Sequence, residues 1–216
     1  MSTKQRIQLT KIKELEQSTR KTYFKLYNSV AQKYPETKLV HATEMGKTRK
    51  KYLIKLLKST PNALTLDLGC NDGHYKPYIR RYVGLDIASG CLKKFRAPRL
   101  QAIAQILPFR KNIFDRIFAS ETIEHIWDRD LVLRECKRVL KQKGKIIVAV
   151  PYGRNLYQLS SKNPVGLRKY GVKVPRYVHG KFSKEDLKHL LERNGFFIKL
   201  LVQLKKFNVV AIGVNS

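Results

Sequence analysis

Three groups of residues have the types and spacing to do chemistry. The first is Leu66-Asp67-Leu68-Gly69-Cys70-Asn71-Asp72-Gly73, a short apolar run that enters a glycine-containing turn. Glycine lets the backbone approach a ligand closely and adopt conformations closed to residues with a Cβ. In a doubly wound sheet such a turn lies at the carboxyl edge, where ligands bind, although a plain tight strand-to-helix turn reads the same way. The second is Asp86, which ends the run Tyr82-Val83-Gly84-Leu85-Asp86. It stands at the distance expected for a carboxylate that accepts both hydroxyls of a ribose, or it caps a helix opened by Ala88-Ser89. The third is Glu121-Thr122-Ile123-Glu124-His125. At i, i+3 and i+4, Glu121, Glu124 and His125 would share one face of a helix and offer a hard cation such as Mg²⁺ or Mn²⁺ two carboxylates and an imidazole. An unperturbed imidazole pKa of ~6.5 makes His125 the candidate general base. Its plainer role is to orient a loop at the helix start.

These groups need a scaffold that brings strand ends together, and the chain alternates in the required way. Ala63–Leu68, Tyr82–Asp86, a weaker Arg99–Ile103, Phe114–Ala119 and Lys145–Val150 read as strands. Helical stretches around Tyr75–Arg81, over Ser89–Phe95 and after Ala119, the last broken or restarted near Asp128 and ending at Lys143-Gly144, separate them. Strand–helix alternation of this kind predicts a parallel sheet with crossover helices. Ahead of it, residues 1–58 read as a helical extension of the same domain. Ile7, Leu9, Ile12 and Leu15, then Tyr23, Phe24, Tyr27 and Val30, then Tyr52, Leu53, Leu56 and Leu57 recur at helical spacing. Residues 151–182 lose all periodicity and mix Gly and Pro with Tyr152, Tyr157, Tyr170 and Tyr177 among lysines and arginines. Such a segment predicts a lid or binding loop. Ser183 with Asp186 resembles a capping box, Asn194-Gly195 stops that helix, and Phe196–Leu204 with Asn208–Val214 predicts a terminal hairpin. The fold class expected is α/β: a Rossmann-like doubly wound sheet, mostly parallel, with a C-terminal antiparallel hairpin and the core spanning residues 59–216.

The 216 residues are 43% hydrophobic, enough for one sizeable core. No run approaches the ~18 apolar residues of a membrane helix, and the charged N-terminus lacks a signal-peptide stretch. A cytoplasmic location without membrane insertion is the expectation. Cys70, Cys91 and Cys136 form no CxxC pair and are odd in number, so they read as reduced thiols. With 45 Lys+Arg against 16 Asp+Glu the net charge is +29. Such a surface attracts polyanions, though the cations are spread along the whole chain, as they would also be in a lineage of generally basic proteins.

Taken together, the motifs resemble class I S-adenosylmethionine (SAM)-dependent methyltransferases of the type 11-like group. Leu66–Gly73 is similar to motif I of that family and Val83–Ile87 to its second motif. Ile106–Phe109 with Phe114–Ser120 resembles the approach to its fourth strand, Glu121–Ile126 the motif after it, and Arg138–Lys145 the approach to its fifth. The resemblance implies that Asp67 binds the SAM amino group, that Gly69, Cys70, Asn71 and Gly73 pack against its methionine part, that Asp86 holds the ribose, and that Ile87 covers the adenine. Ser120 ends the strand beside them. Two departures stand out: Asn71 replaces the middle glycine, which implies a reshaped loop, and Ile103 stands where an acid usually meets the adenine amino group. The Ala104 backbone or the Gln105 side chain would take over that contact.

Glu121, Glu124 and His125 with the later His179 are similar to the metal site of small-RNA 3′-terminal 2′-O-methyltransferases. The same Glu-x-x-Glu-His also occurs in ubiquinone-pathway O-methyltransferases and in relatives without metal. The function expected is therefore methyl transfer from SAM to RNA or another polyanion, at oxygen. The alternatives are a small acceptor such as a quinone-like phenol, and a non-catalytic nucleic-acid-binding protein that keeps the fold.

Overall fold

The computed structural model describes residues 25, 28, 43–94, 96–126, 128–153, 158–160 and 177–216. The helices expected before residue 43, and most of the segment expected as a lid, lie outside the described residues. Helix α1 (Glu44–Lys58) carries the expected stripe of Tyr52, Leu53, Leu56 and Leu57, and starts where the Thr43 side chain accepts from the Gly46 N–H and caps it. Strands β1 (Leu64–Leu68), β2 (Arg81–Asp86), β3 (Arg99–Gln101), β4 (Phe114–Ser120) and β5 (Leu140–Pro151) are parallel neighbours in the order β3-β2-β1-β4-β5. Strands β8 (Phe196–Leu204) and β9 (Asn208–Asn215) extend the sheet as the antiparallel hairpin, with β9 between β5 and β8. Two short strands, β6 (Gln158–Ser160) and β7 (Tyr177–His179), pair with each other in the segment after β5. This is the Rossmann-like methyltransferase architecture, mostly parallel and closed by a C-terminal hairpin.

Side chains alternate across the strands, so the sheet builds two cores. Ile117, Ala119, Ile146, Val148 and Val150 pack on one face with Val132, Leu133 and Cys136 of α3 (Arg129–Val139) and with Leu187, Leu190 and Leu191 of α4 (Lys184–Glu192). The reciprocal Ser183–Asp186 capping box opens α4, and Gly195 at φ +79° follows its end. On the other face Phe118, Ile147, Ala149 and Val210 meet Leu53 and Leu57 of α1.

Three local expectations are corrected. The helix expected around Tyr75–Arg81 is only a 3-10 turn, Lys76–Tyr78. Pro77 has no N–H to continue a helix, and the strand starts at once at Arg81. The helix expected over Ser89–Phe95 is α2, a single turn at Ser89–Leu92. The helix α3 ends at Val139 rather than at Lys143-Gly144, and β5 begins directly at Leu140 with Lys143 in the left-handed region at φ 61°. Since no long helix follows β1, α1 from the N-terminal side supplies much of the cover on that face.

Arg116 fastens α1 to the sheet. It is 2% exposed, and it donates from Nε to Thr65 Oγ1 at 3.0 Å, from Nη1 to the Leu57 carbonyl at 3.0 Å and from Nη1 to Thr60 Oγ1 at 2.7 Å. Burial pushes the guanidinium down to about 10, with the Asp115 charge opposing, so it remains a cation at the carboxyl end of α1. Replacing it by methionine keeps the stem and orphans three acceptors. Arg116→Met is expected to lower unfolding free energy by about 2–4 kcal/mol in urea titrations. A loss below about 1 kcal/mol would mean that α1 is held by its leucines alone.

Candidate active site at the carboxyl edge of the sheet

The turn after β1 is built on left-handed backbone. Gly69, Asn71 and Gly73 have φ of 74°, 48° and 76°. The Gly69 and Cys70 N–H groups both donate to the Leu85 carbonyl, at 2.8 and 3.0 Å, which pins the turn across the end of β2. A Cβ on Gly69 would run into the Thr122 side chain, whose hydroxyl donates to the Leu68 carbonyl at 3.0 Å. The ends of β1 and β4 are thereby locked together at van der Waals contact. Asn71 takes a conformation that asparagine tolerates better than most residues, so the loop keeps a left-handed residue at this position despite the missing glycine.

Two carboxylates face this turn from β1 and β2. Asp86 accepts from the Asn71 N–H at 2.8 Å and from the Ala88 N–H at 2.8 Å. Burial raises its pKa, and the backbone hydrogen bonds from Ala88, Asn71 and Ile87 oppose the rise. It is at once the loop's anchor and the start of the Ala88 turn, so the capping and ligand readings of the sequence meet in one side chain, with lone pairs to spare for hydroxyl donors. Asp67 is 3% exposed and accepts from the Tyr82 hydroxyl at 2.9 Å. Burial pushes its carboxyl up to about 7, the Tyr82 hydrogen bond works against that, and the nearby Asp86 adds to it. A buried carboxyl of this kind is well matched to a cationic partner such as an ammonium.

The far wall is the chain after β3. Ala102 N–H donates to the Asp86 carbonyl at 3.1 Å, and Gln101 Nε2 to the Ile87 carbonyl at 3.0 Å. Ile87 and Ala104 are half-buried and Gln105 is buried. The Cys70 thiol is 4% exposed, and burial first, then Asp67 and Asp86, raise its pKa far above the ordinary value. It lines the turn as an inert small group.

The segment after β4 departs from its sequence expectation. Glu121, Glu124 and His125 do not share a helical face. Glu121 leaves β4 at φ 54°, and only Ile123–His125 form a 3-10 turn. The Glu121 carboxylate is occupied by an ion pair with Arg49 Nη1 at 3.0 Å and by the Asn208 amide at 2.8 Å. Glu124 is fully buried, neither carboxylate oxygen is hydrogen-bonded by a described residue, and His125 Nε2 lies 3.8 Å from its Oε1. Burial, then repulsion from Glu121, push Glu124 well above the usual carboxylate range. Among the described residues no three His, Cys, Asp or Glu side chains converge as metal ligands. The donor set expected for Mg²⁺ or Mn²⁺ is thus dispersed, with the Glu121 carboxylate engaged by Arg49 and Glu124 buried beside His125. His179 lies on β7, and its side chain is outside the described residues.

Several participants carry no motif. Arg49 is 1% exposed and reaches Glu121 from α1. Its only signal in the sequence is the spacing Arg49, Leu53, Leu57, which puts a cation on the apolar stripe of a helix. Tyr75 interacts with both Arg49 and Ser120. His74 packs edge-on to Tyr75, and burial, then the charges of Lys50 and Arg49, pull its imidazole down to about 4, so it is neutral at pH 7. Arg49, Lys50, His74, Tyr75, Ser120 and Glu121 therefore form a polar region beside the glycine turn.

If the turn depends on its left-handed residues, Asn71→Gly will leave urea stability within about 0.5 kcal/mol of wild type, because glycine accepts that backbone freely. Asn71→Val forces a β-branched residue to positive φ and is expected to cost about 1–2 kcal/mol. Equal stability of the two variants would show that the loop rearranges.

The comparisons with known proteins fit this geometry. A methyltransferase domain family matches residues 66–148. Human mitochondrial arginine-hydroxylase NDUFAF5 is 29% identical over 143 residues, which cover 62% of this chain and 41% of that one. The demethylmenaquinone methyltransferase of Thermotoga maritima is 29% identical over 142 residues, covering 60% of this chain and 62% of its own. The chain thus spans less than two thirds of these curated relatives. A SAM-dependent methyltransferase from Thermotoga maritima, a possible histamine N-methyltransferase, superposes with a TM-score of 0.62 at 20% identity, over 89% of this chain and 99% of that one. Residues 66–148, which carry the glycine turn and Asp86, thus match a methyltransferase domain, and the solved structure of similar fold covers most of the chain.

Proposed function

We propose that this chain transfers the methyl group of SAM to an oxygen of an anionic acceptor, RNA or another polyanion in preference to a small molecule. The observation that carries the cofactor half is the pair of carboxyls, Asp67 and Asp86, set around a glycine turn at the carboxyl edge. Asp86 receives the ribose hydroxyls. Asp67 receives the amino group, Ile87 covers the base, and Gly69, Cys70, Asn71 and Gly73 line the methionine chain, with Ser120 beside them. When bound, SAM supplies an activated methyl on a sulfonium, so the protein's own task is to align an acceptor and accept its proton. His125, beside the buried Glu124, is the candidate for that proton.

The acceptor half rests on charge. Arg49 and Lys50 come from α1, next to His74, and the chain as a whole carries +29. The basic, tyrosine-rich stretch 152–181 is the proposed lid, suited to base stacking and phosphate contacts. A metal-assisted variant finds no support in the described donors. A second reading has its own observation: the resemblance to a demethylmenaquinone methyltransferase favours a quinone-like phenol. The arginine-hydroxylase relative marks how far chemistry can diverge on this scaffold. No helix among the described residues is long and apolar enough to cross a membrane. A cytoplasmic location remains part of the proposal.

The test mixes methyl-labelled SAM, the protein and fractionated cell extract, with Asp86→Ala as the blank and a parallel EDTA arm. Label in RNA, unaffected by EDTA and with acceptor binding that weakens steeply with salt, is the expected outcome. Label confined to small molecules would replace the polyanion reading by the quinone-like one. No label in any fraction, together with no SAM binding, would favour a non-catalytic nucleic-acid-binding protein.

A pH test addresses Asp67. In the free chain its carboxyl is half-protonated near pH 7, and a bound ammonium favours the anion. Protons must therefore leave on binding below pH 7. Affinity for SAM should rise with pH by up to about tenfold per unit below 7 and flatten above it. Calorimetry of Asp67→Asn should show weaker binding without that slope. A slope that persists in the variant would assign the titration elsewhere.

A further inference from the structure

Every exposed side chain of α1 is Glu44 or a lysine. Lys47, Lys51, Lys55 and Lys58 stand on its solvent side, while Arg49, Leu53 and Leu57 are buried against the sheet. At i, i+4, i+8 and i+11 these lysines form one row. With a rise of 1.5 Å per residue, neighbours in the row are about 5–6 Å apart and the whole row is about 16 Å long.

Such a row is costly by itself. Like charges at i, i+4 repel, and Lys47 adds a cation to the first turn, where the helix dipole is already positive. The single acid of the helix, Glu44, is taken by Lys205 Nζ at 2.6 Å. Among the described residues no acid pairs with the lysines of the row. The helices α3 and α4 are different. In α3 Glu135 pairs with Arg138 and Asp130 with Arg193, and in α4 Lys188 lies 3.9 Å from Glu192. A general excess of basic residues would leave all the helices alike, so the unpaired row is a property of α1.

The row also has a direction. Near its start, α1 sends Arg49 to Glu121 beyond the carboxyl end of β4, and near its end the Leu57 carbonyl receives Arg116 from the other end of that strand. The turn between β8 and β9 brings Lys205 to Glu44, with exposed Lys206 beside it, where Asn208 opens β9 opposite Pro151 at the end of β5. The row therefore starts at the carboxyl edge, where the glycine turn and Asp86 lie, and leads away down the outside of the molecule.

Resting on the acceptor reading above, we propose that α1 is the track for a single strand of RNA. Lys47, Lys51, Lys55 and Lys58 hold successive phosphates of the strand that flanks the nucleotide at the carboxyl edge. The spacing of the lysines is comparable with that of phosphates along a strand, and a row one helix wide meets one backbone. No exposed side chain of α1 offers an amide or an aromatic ring to a base, so the row positions the strand and reads no sequence. The bound phosphates relieve the repulsion within the helix.

The test is fluorescence-anisotropy binding of an oligouridylate of ~12 nucleotides to the full chain over a series of salt concentrations. One variant replaces Lys47, Lys51, Lys55 and Lys58 by glutamine, which forms helix about as well as lysine. The control variant replaces Lys93, Lys111, Lys184 and Lys199 in the same way, also exposed, and removes the same charge. Each phosphate contact on a single strand contributes about 0.7 to the slope of log affinity against log salt. The α1 variant is therefore expected to lose about 2–3 of that slope and to bind about thirtyfold or more weakly at about 0.1 M salt. The control should stay within about threefold of wild type, as screened charges away from the strand do. Arginine at the four α1 positions should keep the binding, and every variant should bind S-adenosylhomocysteine as wild type does. Equal losses in the α1 and control variants overturn the inference, as does an α1 variant that keeps the wild-type slope or a wild type that does not bind the oligonucleotide. In those cases methyl label in RNA would leave the acceptor reading standing. A wild type that neither binds the oligonucleotide nor labels RNA sinks both.

Discussion

The ion pair between Arg49 and Glu121 holds the site together. The Arg49 side chain is 1% exposed and that of Glu121 15%, the two lie 3.0 Å apart, and Glu121 is steadied further by the Asn208 amide from β9. One helix, the end of β4 and the start of β9 therefore meet at a single carboxylate. Removing either charged partner would leave a buried charge uncompensated, which in comparable settings costs about 3–5 kcal/mol. The pair matters more here because β1 is followed by a 3-10 turn rather than a long helix. The sheet face that such a helix would cover is left to α1, and Arg49 with Arg116 fixes α1 at both ends of that face. The same pair accounts for the fate of the neighbouring acid. With the Arg49 charge committed to Glu121, the Glu124 carboxyl has no hydrogen-bonding partner among the described residues, and its pKa is pushed well up by burial and by Glu121.

Much of this was readable without coordinates, and the unreadable part has a common cause. The glycine turn, Asp86, the strand sequence and the terminal hairpin are local patterns, because strand periodicity and turn chemistry act over a few residues. The capping box at Ser183 is local in the same way. Element lengths were less accessible. Pro77 was in plain view, but that it would reduce a whole crossover to one 3-10 turn depended on α1 being available to cover the sheet. The identity of the ion-pair partner was least accessible of all, because Arg49 and Glu121 are far apart in the chain. Three residues at helical spacing suggested a shared face for Glu121, Glu124 and His125. The left-handed turn at Glu121 broke that face, and no pattern at that position announces it.

Asn71 shows how a departure from a family pattern can be silent. A missing glycine in a ligand-binding turn ordinarily implies a changed backbone. Here the replacement is one of the few side chains that accept the left-handed region, and its N–H completes the Asp86 anchor. Ile103 is the opposite case. The branched apolar side chain at that position carries no polar atom, so the departure there is not silent in the same way.

The distribution of charge connects these details to activity. Of the 16 acids in a chain with 45 basic residues, five (Asp67, Asp72, Asp86, Glu121 and Glu124) belong to the turns at the carboxyl edge. Each carboxylate that stays ionised and unpaired there opposes the surrounding positive field. Their retention suits a ligand that brings its own positive charge, as an ammonium and a sulfonium do. The burial that raises Asp67 to about 7 is costly while the site is empty and is offset when a cation arrives. Under the proposed function, the basic scaffold would gather an anionic acceptor and the acidic turns would receive a cationic cofactor.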